Sequence, residues 1–294
     1  MYLPPESPEA FGAVSTVTLF MDEKIWHTMP LAFLGSLPSA RNCTIVGGAI
    51  FDTPSFPENS YYSALRPLQT LRVSLRGGFP QHVLYSSALV SVPCVETTDM
   101  SENTVGVLLS HLDSELSVVI RFDHCEHEDD RDFEAIYTSR TTGRVRKLGA
   151  GLAWYQRYYT RCEIACLGLD FPALRHRITT LTIHARLCVL IPHHILALPA
   201  CSEITLELAT AEDLVQLVTS TVSFVLPVLD RAVLRSTAAT IQCDPFALLR
   251  LVTTTLVRRR DSAVGRLQMQ LHGVAADDIA SDLTLLVDIS RTSV

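Results

Sequence analysis

The residues best suited to chemistry are concentrated in DHCEHEDDRD, which spans Asp123–Asp132. Histidine, cysteine and carboxylate side chains bind metals and transfer protons. Three hypotheses therefore fit this stretch: a metal site, a catalytic cluster, or a polar turn. Consecutive strand residues point to opposite faces, so only Cys125 and His127 could share a side if a strand continued here. The runs LSVVIRF and FEAIYTSR on either side alternate as strands do, and this pattern favours an exposed turn.

The cysteines offer little support for a metal centre. The eight cysteines are scattered, as is usual for a protein of a reducing compartment. Cys162 and Cys166, in CEIAC, lie in a predicted strand, where about 13 Å would separate them along the chain. The favoured interpretation is that the cysteines are buried as small hydrophobes, and we predict neither a metal nor a cofactor.

Catalytic sequence motifs are also missing. The sequence has no G-x-S-x-G, Walker A, H-E-x-x-H or G-x-G-x-x-G pattern. Gly47 and Gly48 are better explained by a bulge or bend in a strand. We predict a protein that is not an enzyme. A metal-dependent enzyme that uses Asp123–Asp132 is the weaker alternative.

Composition restricts the function classes further. Of the 294 residues, 48% are hydrophobic and only 19% are charged, which indicates extensive burial or surfaces covered by partners. The formal charge of -7 confines any nucleic-acid contact to a local patch. The N-terminal residues lack a signal-peptide pattern, and no apolar run reaches the roughly 18 residues of a membrane helix. We expect a nuclear protein, or alternatively a cytoplasmic one.

The first half of the chain reads mainly as strands with two helices. The predicted helices are DEKIWHTMPLAFLGSL and SENTVGVLLSHLDS, and Ser101 caps the second. The predicted strands are VSTVTLFM, NCTIVGGAIF, LQTLRVSLRGG, QHVLYSSALVSVPCV, LSVVIRFDH, DFEAIYTSR and RCEIACLG.

The second half contains a similar mixture. A long strand, ITTLTIHARLCVLI, precedes a short helix over PHHILALPA, and EITLELATAEDLVQLVTSTVSFVLP is predicted to form a hairpin that turns at AED. In DPFALLRLVTTTLVRRR, Asp244 caps a helix, Pro245 takes its first position, and Phe246, Leu249, Val252 and Leu256 form its apolar stripe. Two alternating strands follow: GRLQMQLHG, and SDLTLLVDIS with Leu283, Leu285, Val287 and Ile289 on one face.

Three segments resemble parts of the DNA sliding-clamp fold: SENTVGVLLSHLDSELSVVIRF, CEIACLGLDFPALRHR and CDPFALLRLVTTTLVRRRDSAVGRLQMQLHG. The resemblance spans nearly the whole chain and implies an α+β fold of repeated β-α-β-β-β units. It implies two similar domains, residues 1–169 and 178–294, joined by a connector at 170–177. Antiparallel sheets would lie outside and short helices inside, and LSVVIRF and FEAIYTSR would be neighbouring antiparallel strands.

The resemblance also implies a function. The chain is most similar to a checkpoint-clamp subunit, a relative of proliferating cell nuclear antigen that forms a heterotrimer in DNA-damage signalling and repair. The implied partners are other clamp subunits in a ring, double-stranded DNA inside it, a clamp loader, and repair or checkpoint proteins. The alternatives are a viral or replicative polymerase processivity factor and a structural assembly protein, such as a viral capsid or tegument subunit or a scaffold.

A ring that encloses DNA needs cations on its inner helices, since phosphate contacts are largely electrostatic. The predicted DNA-facing residues are Lys24, His27, His193, His194, Arg250, Arg258, Arg259 and Arg260. Arg258, Arg259 and Arg260 also suit the negative end of a helix dipole, which accounts for them without DNA. The connector residues predicted to meet partners are Phe171, Pro172 and Leu174.

Overall fold

A computed structural model describes residues 12–21, 33–47, 63–75, 79, 81–99, 101–122, 132–151, 168–169, 171–189, 195–237, 240–258, 266–276 and 281–292. These residues form an α+β structure with many short strands and short helices. The chain divides into two compact units. Unit 1 comprises Met1–Asp113 and Thr142–Ala150, and unit 2 comprises Ser114–Thr141 and Gly151–Val294. The predicted boundary at residues 170–177 falls inside unit 2.

Unit 1 is built around a parallel sheet. Its strands are β1 (Thr16–Met21), β2 (Asn42–Gly47), β3 (Thr70–Leu75), β4 (Cys94–Thr97) and β7 (Val145–Gly151), in the order β1-β2-β3-β4-β7. Every one of these neighbouring pairs is parallel. A 3₁₀ turn, Ser63–Leu65, precedes β3, and the helices α1 (Gln81–Leu84), α2 (Ser87–Ser91) and α3 (Glu102–Ser110) follow it.

Unit 2 contains a longer sheet of mixed direction. Its first strands are β5 (Leu116–Phe122), β6 (Asp132–Ser139), β8 (Ile178–His184) and β10 (Glu203–Leu208), followed by β12 (Arg231–Ser236), β15 (Leu267–His272) and β17 (Val287–Thr292). The order is β6-β5-β8-β10-β12-β15-β17. The β5–β6 pair is antiparallel and the other pairs are parallel.

Shorter elements connect the long strands of unit 2. The helices are α4 (Pro172–Arg175), α5 (Ala185–Val189), α6 (Ala211–Thr219), α7 (Pro245–Arg250), which continues as a π-helical segment at Leu251–Thr255, and α8 (Ser281–Leu286). The strands β9 (Ile195–Ala197), β11 (Ser223–Val225) and β14 (Leu256–Val257) form a small parallel sheet. The strands β13 (Ile241–Gln242) and β16 (Val274–Ala275) also pair.

A repeated pattern of buried residues accompanies the parallel stacking. At six of the long strands in the described ranges, buried side chains occupy the first, fourth and sixth positions of a short segment that enters the strand. The sets are Ala40, Cys43 and Ile45; Leu68, Leu71 and Val73; Val92, Val95 and Thr97; Ile178, Leu181 and Ile183; Cys201, Ile204 and Leu206; and Leu229, Ala232 and Leu234. Each segment therefore adds one strand and one layer of core.

Several sequence predictions are confirmed. Strands β1, β2, β3 and β15 form where alternation predicted them, and β5 and β6 are antiparallel neighbours. The Ser101 hydroxyl accepts a hydrogen bond from the Thr104 amide and caps α3. The Asp244 carboxylate caps α7 by accepting from the Phe246 amide at 3.0 Å, with Pro245 at the first helical position.

The predicted antiparallel sheets are wrong for most of the described chain, because the long strands after β5–β6 pair in parallel. The connection between two parallel neighbours must return to the end of the sheet at which the first strand began. A hairpin joins antiparallel strands and cannot make this connection. The segment that contains AED forms α6 instead of a turn. Helices α1 and α2 replace most of the strand predicted over Gln81–Val95.

Other boundaries also differ from the predictions. The long strand predicted from Ile178 ends at His184, where α5 begins, and Ile195–Ala197 is a strand where a helix was predicted. The last predicted strand is half helix, because α8 occupies Ser281–Leu286; Leu283 is buried while Leu285 is exposed. In α7 the apolar stripe is misplaced, since Phe246 is exposed and Ala247, Leu248 and Leu251 are buried.

Candidate functional site

The parallel sheet of unit 2 has one apolar side and one polar side. On the apolar side, Leu181, Ile204, Ala232 and Met269 are register partners and are buried. The alternate residues of the same strands point the other way and are mostly polar. They lie in three rows across β8, β10, β12, β15 and β17. We call these rows, together with Ser117 and Arg121 on the neighbouring β5, the polar face.

Register fixes the members of each row. The first row is Thr180, Glu203, Arg231, Gln268 and Asp288. The second is Thr182, Thr205, Val233, Gln270 and Ser290. The third is His184, Glu207, Arg235, His272 and Thr292.

The outer rows of the polar face hold cross-strand ion pairs. Arg231 Nη1 donates to Glu203 Oε2 at 3.2 Å, and Arg235 Nη1 lies 4.0 Å from Glu207 Oε1. On the neighbouring antiparallel pair, Arg121 Nε donates to Glu134 Oε1 at 2.7 Å. Opposite charges directly across a pair of strands are the favourable arrangement, so these contacts also help to fix the register.

The middle row and the strands beside it supply hydroxyl groups. The Thr180 hydroxyl donates to the Ser117 hydroxyl at 2.8 Å, and Thr182 is half-buried next to Thr205. Thr205 and Val233, at the centre of the middle row, are nearly covered. The hydroxyl groups of β5 and β8 therefore form the floor between the charged side chains.

Unit 1 repeats this chemistry on its own sheet. Thr18, Thr44, Arg72, Glu96 and Lys147 form a row of register partners. Arg72 Nε lies 3.7 Å from Glu96 Oε2. The parallel sheet of each unit therefore carries an exposed arginine that is paired with a glutamate.

In contrast to these exposed arginines, one arginine of unit 1 is buried. Arg146 is fully buried, and its Nη1 donates to the carbonyls of Val92 at 3.1 Å and Val145 at 2.8 Å. Burial lowers the pKa of Arg146 to about 10. Burial, followed by the positive charges of Arg146 and Arg144, lowers the pKa of His111 to about 4. His111 is consequently neutral at physiological pH.

The predicted DNA-facing residues are only partly described. Arg250 is exposed on α7, and Arg258 follows β14 and is half-buried. Lys24, His27, His193, His194, Arg259 and Arg260 lie outside the described residues. The connector residues form the start of α4: Phe171 precedes it, Pro172 is exposed at its first position, and Leu174 is buried.

Most of the histidine, cysteine and carboxylate cluster that the sequence singled out, residues 123–131, lies outside the described part of the chain. Cys162 and Cys166 also lie outside it. Within the described part, no group of three or more His, Cys, Asp or Glu side chains could hold a metal ion. Burial raises the pKa of the Cys43 and Cys201 thiols to about 12 and that of Cys243 to about 11. These thiols are protonated, as expected of small buried side chains.

Sequence reasoning missed the polar face and its ion pairs. The signal for it was the repeated buried pattern at the first, fourth and sixth positions, as in LQTLRVSL and CSEITLEL. That repeat places Arg72 and Glu203 at positions that must point away from the core. None of the helices in the described ranges has the length and apolar character needed to cross a membrane.

Comparison with protein-family models, with curated proteins and with solved structures finds no match.

Proposed function

We propose that this chain is a non-enzymatic interaction scaffold of the repeat, or solenoid, class, and that it binds a partner protein on the polar face of unit 2. Strand starts at Thr16, Asn42, Thr70 and Cys94 are 24 to 28 residues apart, and those at Ile178, Glu203, Arg231, Leu267 and Val287 are 20 to 36 apart. Among the described residues, each of these intervals except Thr16–Asn42 combines its long strand with at least one short helix or 3₁₀ turn. A strand combined with a short helix or 3₁₀ turn in about 20 to 29 residues is the unit of leucine-rich-repeat architectures. Stacked repeats of this type provide extended binding surfaces.

The observation that carries the proposal is the polar face itself. Helices and the small sheet follow the strands, yet exposed residues such as Arg231, Arg235, Gln268 and Asp288 remain on one side of β12, β15 and β17. A broad set of charged and hydroxyl side chains on rigid strands suits recognition of another protein. The scaffold alternative raised by the sequence agrees with this arrangement.

A matched pair of substitutions tests the proposal. Gln268 is exposed on the polar face and Gln216 is exposed on α6. Tagged wild-type chain, Gln268→Trp and Gln216→Trp would be purified from their native cells, and the co-purifying chains would be quantified by mass spectrometry. The substitution adds bulk without charge, so we expect at least one partner to be lost from Gln268→Trp and kept by Gln216→Trp. The same partners in all three samples, or none in any, would contradict the proposal.

A sliding-clamp subunit is the second candidate, with its checkpoint role, ring partners and nuclear location as predictions. The α+β class and the exposed Arg250 on α7 are compatible with it, whereas the parallel pairing of the long strands does not favour it. If α7 faced DNA, Arg250→Gln would weaken binding to duplex DNA and reduce its dependence on salt concentration. Equal binding by both proteins at every salt concentration would leave this candidate without support.

A further inference from the structure

The ion pairs of the polar face place the carboxylate inside and the guanidinium outside. The Arg121 side chain is 47% exposed and that of its partner Glu134 is 4% exposed. The Arg235 side chain is 53% exposed and that of Glu207 is 14% exposed. The Arg231–Glu203 pair has the same order with a smaller difference. Asp288, at the far edge of the sheet, is an exposed acid that lies 3.0 Å from Arg266.

This order gives the polar face a positive outer layer in a chain whose formal charge is -7. A guanidinium has several N–H donors in a fixed plane, and the bond from Arg121 to Glu134 uses its Nε donor. The inner carboxylate orients the guanidinium, so less side-chain freedom is lost when a second carboxylate binds. An arginine held in this way is suited to a bidentate contact with an incoming carboxylate.

The spacing of the three arginines defines the ligand further. Arg231 and Arg235 are four residues apart on β12, which corresponds to about 13 Å. Arg121 is on β5, three strands away from β12 in the sheet order, which corresponds to about 14 Å. An extended peptide advances about 13 Å in four residues. Carboxylates at positions i and i+4 of an extended segment would match either spacing.

We infer that the polar face of unit 2 recognises an extended acidic protein segment with Asp or Glu at positions i and i+4. This inference depends on the proposed function and adds the chemistry of the partner. The floor between the arginines, with Ser117, Thr180 and Thr182, offers hydroxyl groups to the backbone of such a segment. The formal charge of -7 repels every anionic ligand at long range, and a short segment with two carboxylates meets less of this repulsion than duplex DNA, which carries about one phosphate charge per 1.7 Å.

The test is selection from a random dodecapeptide display library on the full chain. The selected peptides are then measured by fluorescence anisotropy against the wild type, the double variant Arg231→Gln and Arg235→Gln, and Arg66→Gln, which removes an exposed arginine of unit 1. We expect enrichment of acidic residues at i and i+4. We also expect a loss of affinity on the order of tenfold or more in the double variant, since hydrogen bonds to charged groups are strong, and little change in Arg66→Gln.

A second variant protects the test against a folding defect. Arg231→Lys with Arg235→Lys keeps both charges and removes the planar fork, so its affinity should fall between those of the wild type and the double glutamine variant. Enriched peptides without acidic residues that the bulky, neutral Gln268→Trp nevertheless blocks would overturn this inference and leave the proposed function standing. Peptides that Gln268→Trp does not affect would overturn both. Tighter binding of a short DNA duplex than of any peptide, lost in the double variant, would assign the face to nucleic acid.

Discussion

Asp213 and Arg186 join two consecutive helices of unit 2 through a partly buried ion pair. Arg186 Nε donates to Asp213 Oδ1 at 2.6 Å, and the Asp213 side chain is buried. The other carboxylate oxygen accepts from the amides of Ala209 at 2.7 Å and Thr210 at 2.9 Å. One side chain thus holds the start of α6 and links it to α5, which lies in the preceding strand interval.

Replacement of this carboxylate should destabilise the protein. We expect Asp213→Asn to lower the free energy of unfolding by about 1–3 kcal/mol, because the charge-assisted bond to Arg186 is lost inside the structure. Glu212→Gln, an exposed neighbour in the same helical turn, should change it by less than about 0.5 kcal/mol. Urea denaturation would measure both, and equal effects would show that the pair contributes nothing specific.

The Asp213 carboxylate also makes the stability of the protein depend on pH. Burial alone would raise the pKa of Asp213, but the bonds from Arg186, Thr210 and Ala209 outweigh it and the pKa is lowered from 3.8. The unfolded chain therefore binds this proton more readily, so the contribution is present above pH 3.8 and is lost as the pH falls through the folded pKa. The difference in stability between wild type and Asp213→Asn should shrink in acid below that value.

His111 should produce a second pH dependence, in unit 1. Its pKa is lowered from 6.5 to about 4, so between these values the unfolded chain binds a proton that the folded chain does not. Stability should fall as the pH is lowered from about 6.5 to about 4, with uptake of about one proton on unfolding. His111→Gln should remove this slope, whereas His176→Gln, an exposed histidine after α4, should keep it. A slope that survives in His111→Gln would contradict the assignment.

The backbone conformation at the end of β2 requires a glycine at position 47. Gly47 has a φ of +132°, and a Cβ atom there would lie 2.0 Å from the Met21 carbonyl oxygen. We expect Gly47→Ala to destabilise the protein by about 2 kcal/mol or more, since both the backbone angle and the neighbouring strand must change. Gly35 has ordinary space for a Cβ, with Ala64 Cβ at 3.9 Å, so Gly35→Ala is the control. Similar thermal midpoints for the two variants would contradict this account.

The sequence was most informative where a signal is local. Alternation predicted β15 because Leu267, Met269 and Leu271 face the core while Gln268 does not, and capping chemistry predicted the start of α7 at Asp244. The direction in which strands pair is not a local property. Parallel strands usually read as continuous apolar runs, and alternation is typical of antiparallel sheets. Because one side of this parallel sheet is polar, its strands alternate, and the alternation therefore favoured the hairpins that were predicted.

The polar face depends on the same long-range information. Glu203 and Arg231 are far apart in the sequence, and they meet only because β10 and β12 stack in register. Charge alone drew attention to Arg258, Arg259 and Arg260, which are adjacent in sequence, rather than to Arg121, Arg231 and Arg235, which share one side of a sheet. Aligning the segments by their buried first, fourth and sixth positions would have predicted which residues of neighbouring strands are register partners.

The C-terminal segment gives a direct test of the corrected fold. Alternation placed Leu283 and Leu285 on one buried face, whereas α8 buries Leu283 and exposes Leu285. We expect Leu283→Ala to cost about 2–5 kcal/mol of unfolding free energy, as truncation of a buried leucine usually does. Leu285→Ala should cost less than about 0.5 kcal/mol. Comparable losses in the two variants would favour the alternating strand over the helix.

Site-specific photo-crosslinking would show whether a partner protein contacts the polar face. A benzophenone amino acid would replace Gln268 on the polar face or Gln216 on α6, and the chain would be irradiated in its native cells. We expect a crosslinked partner protein from position 268 and none from position 216. A partner captured only from position 216 would contradict the claim that the polar face of unit 2 is the binding surface.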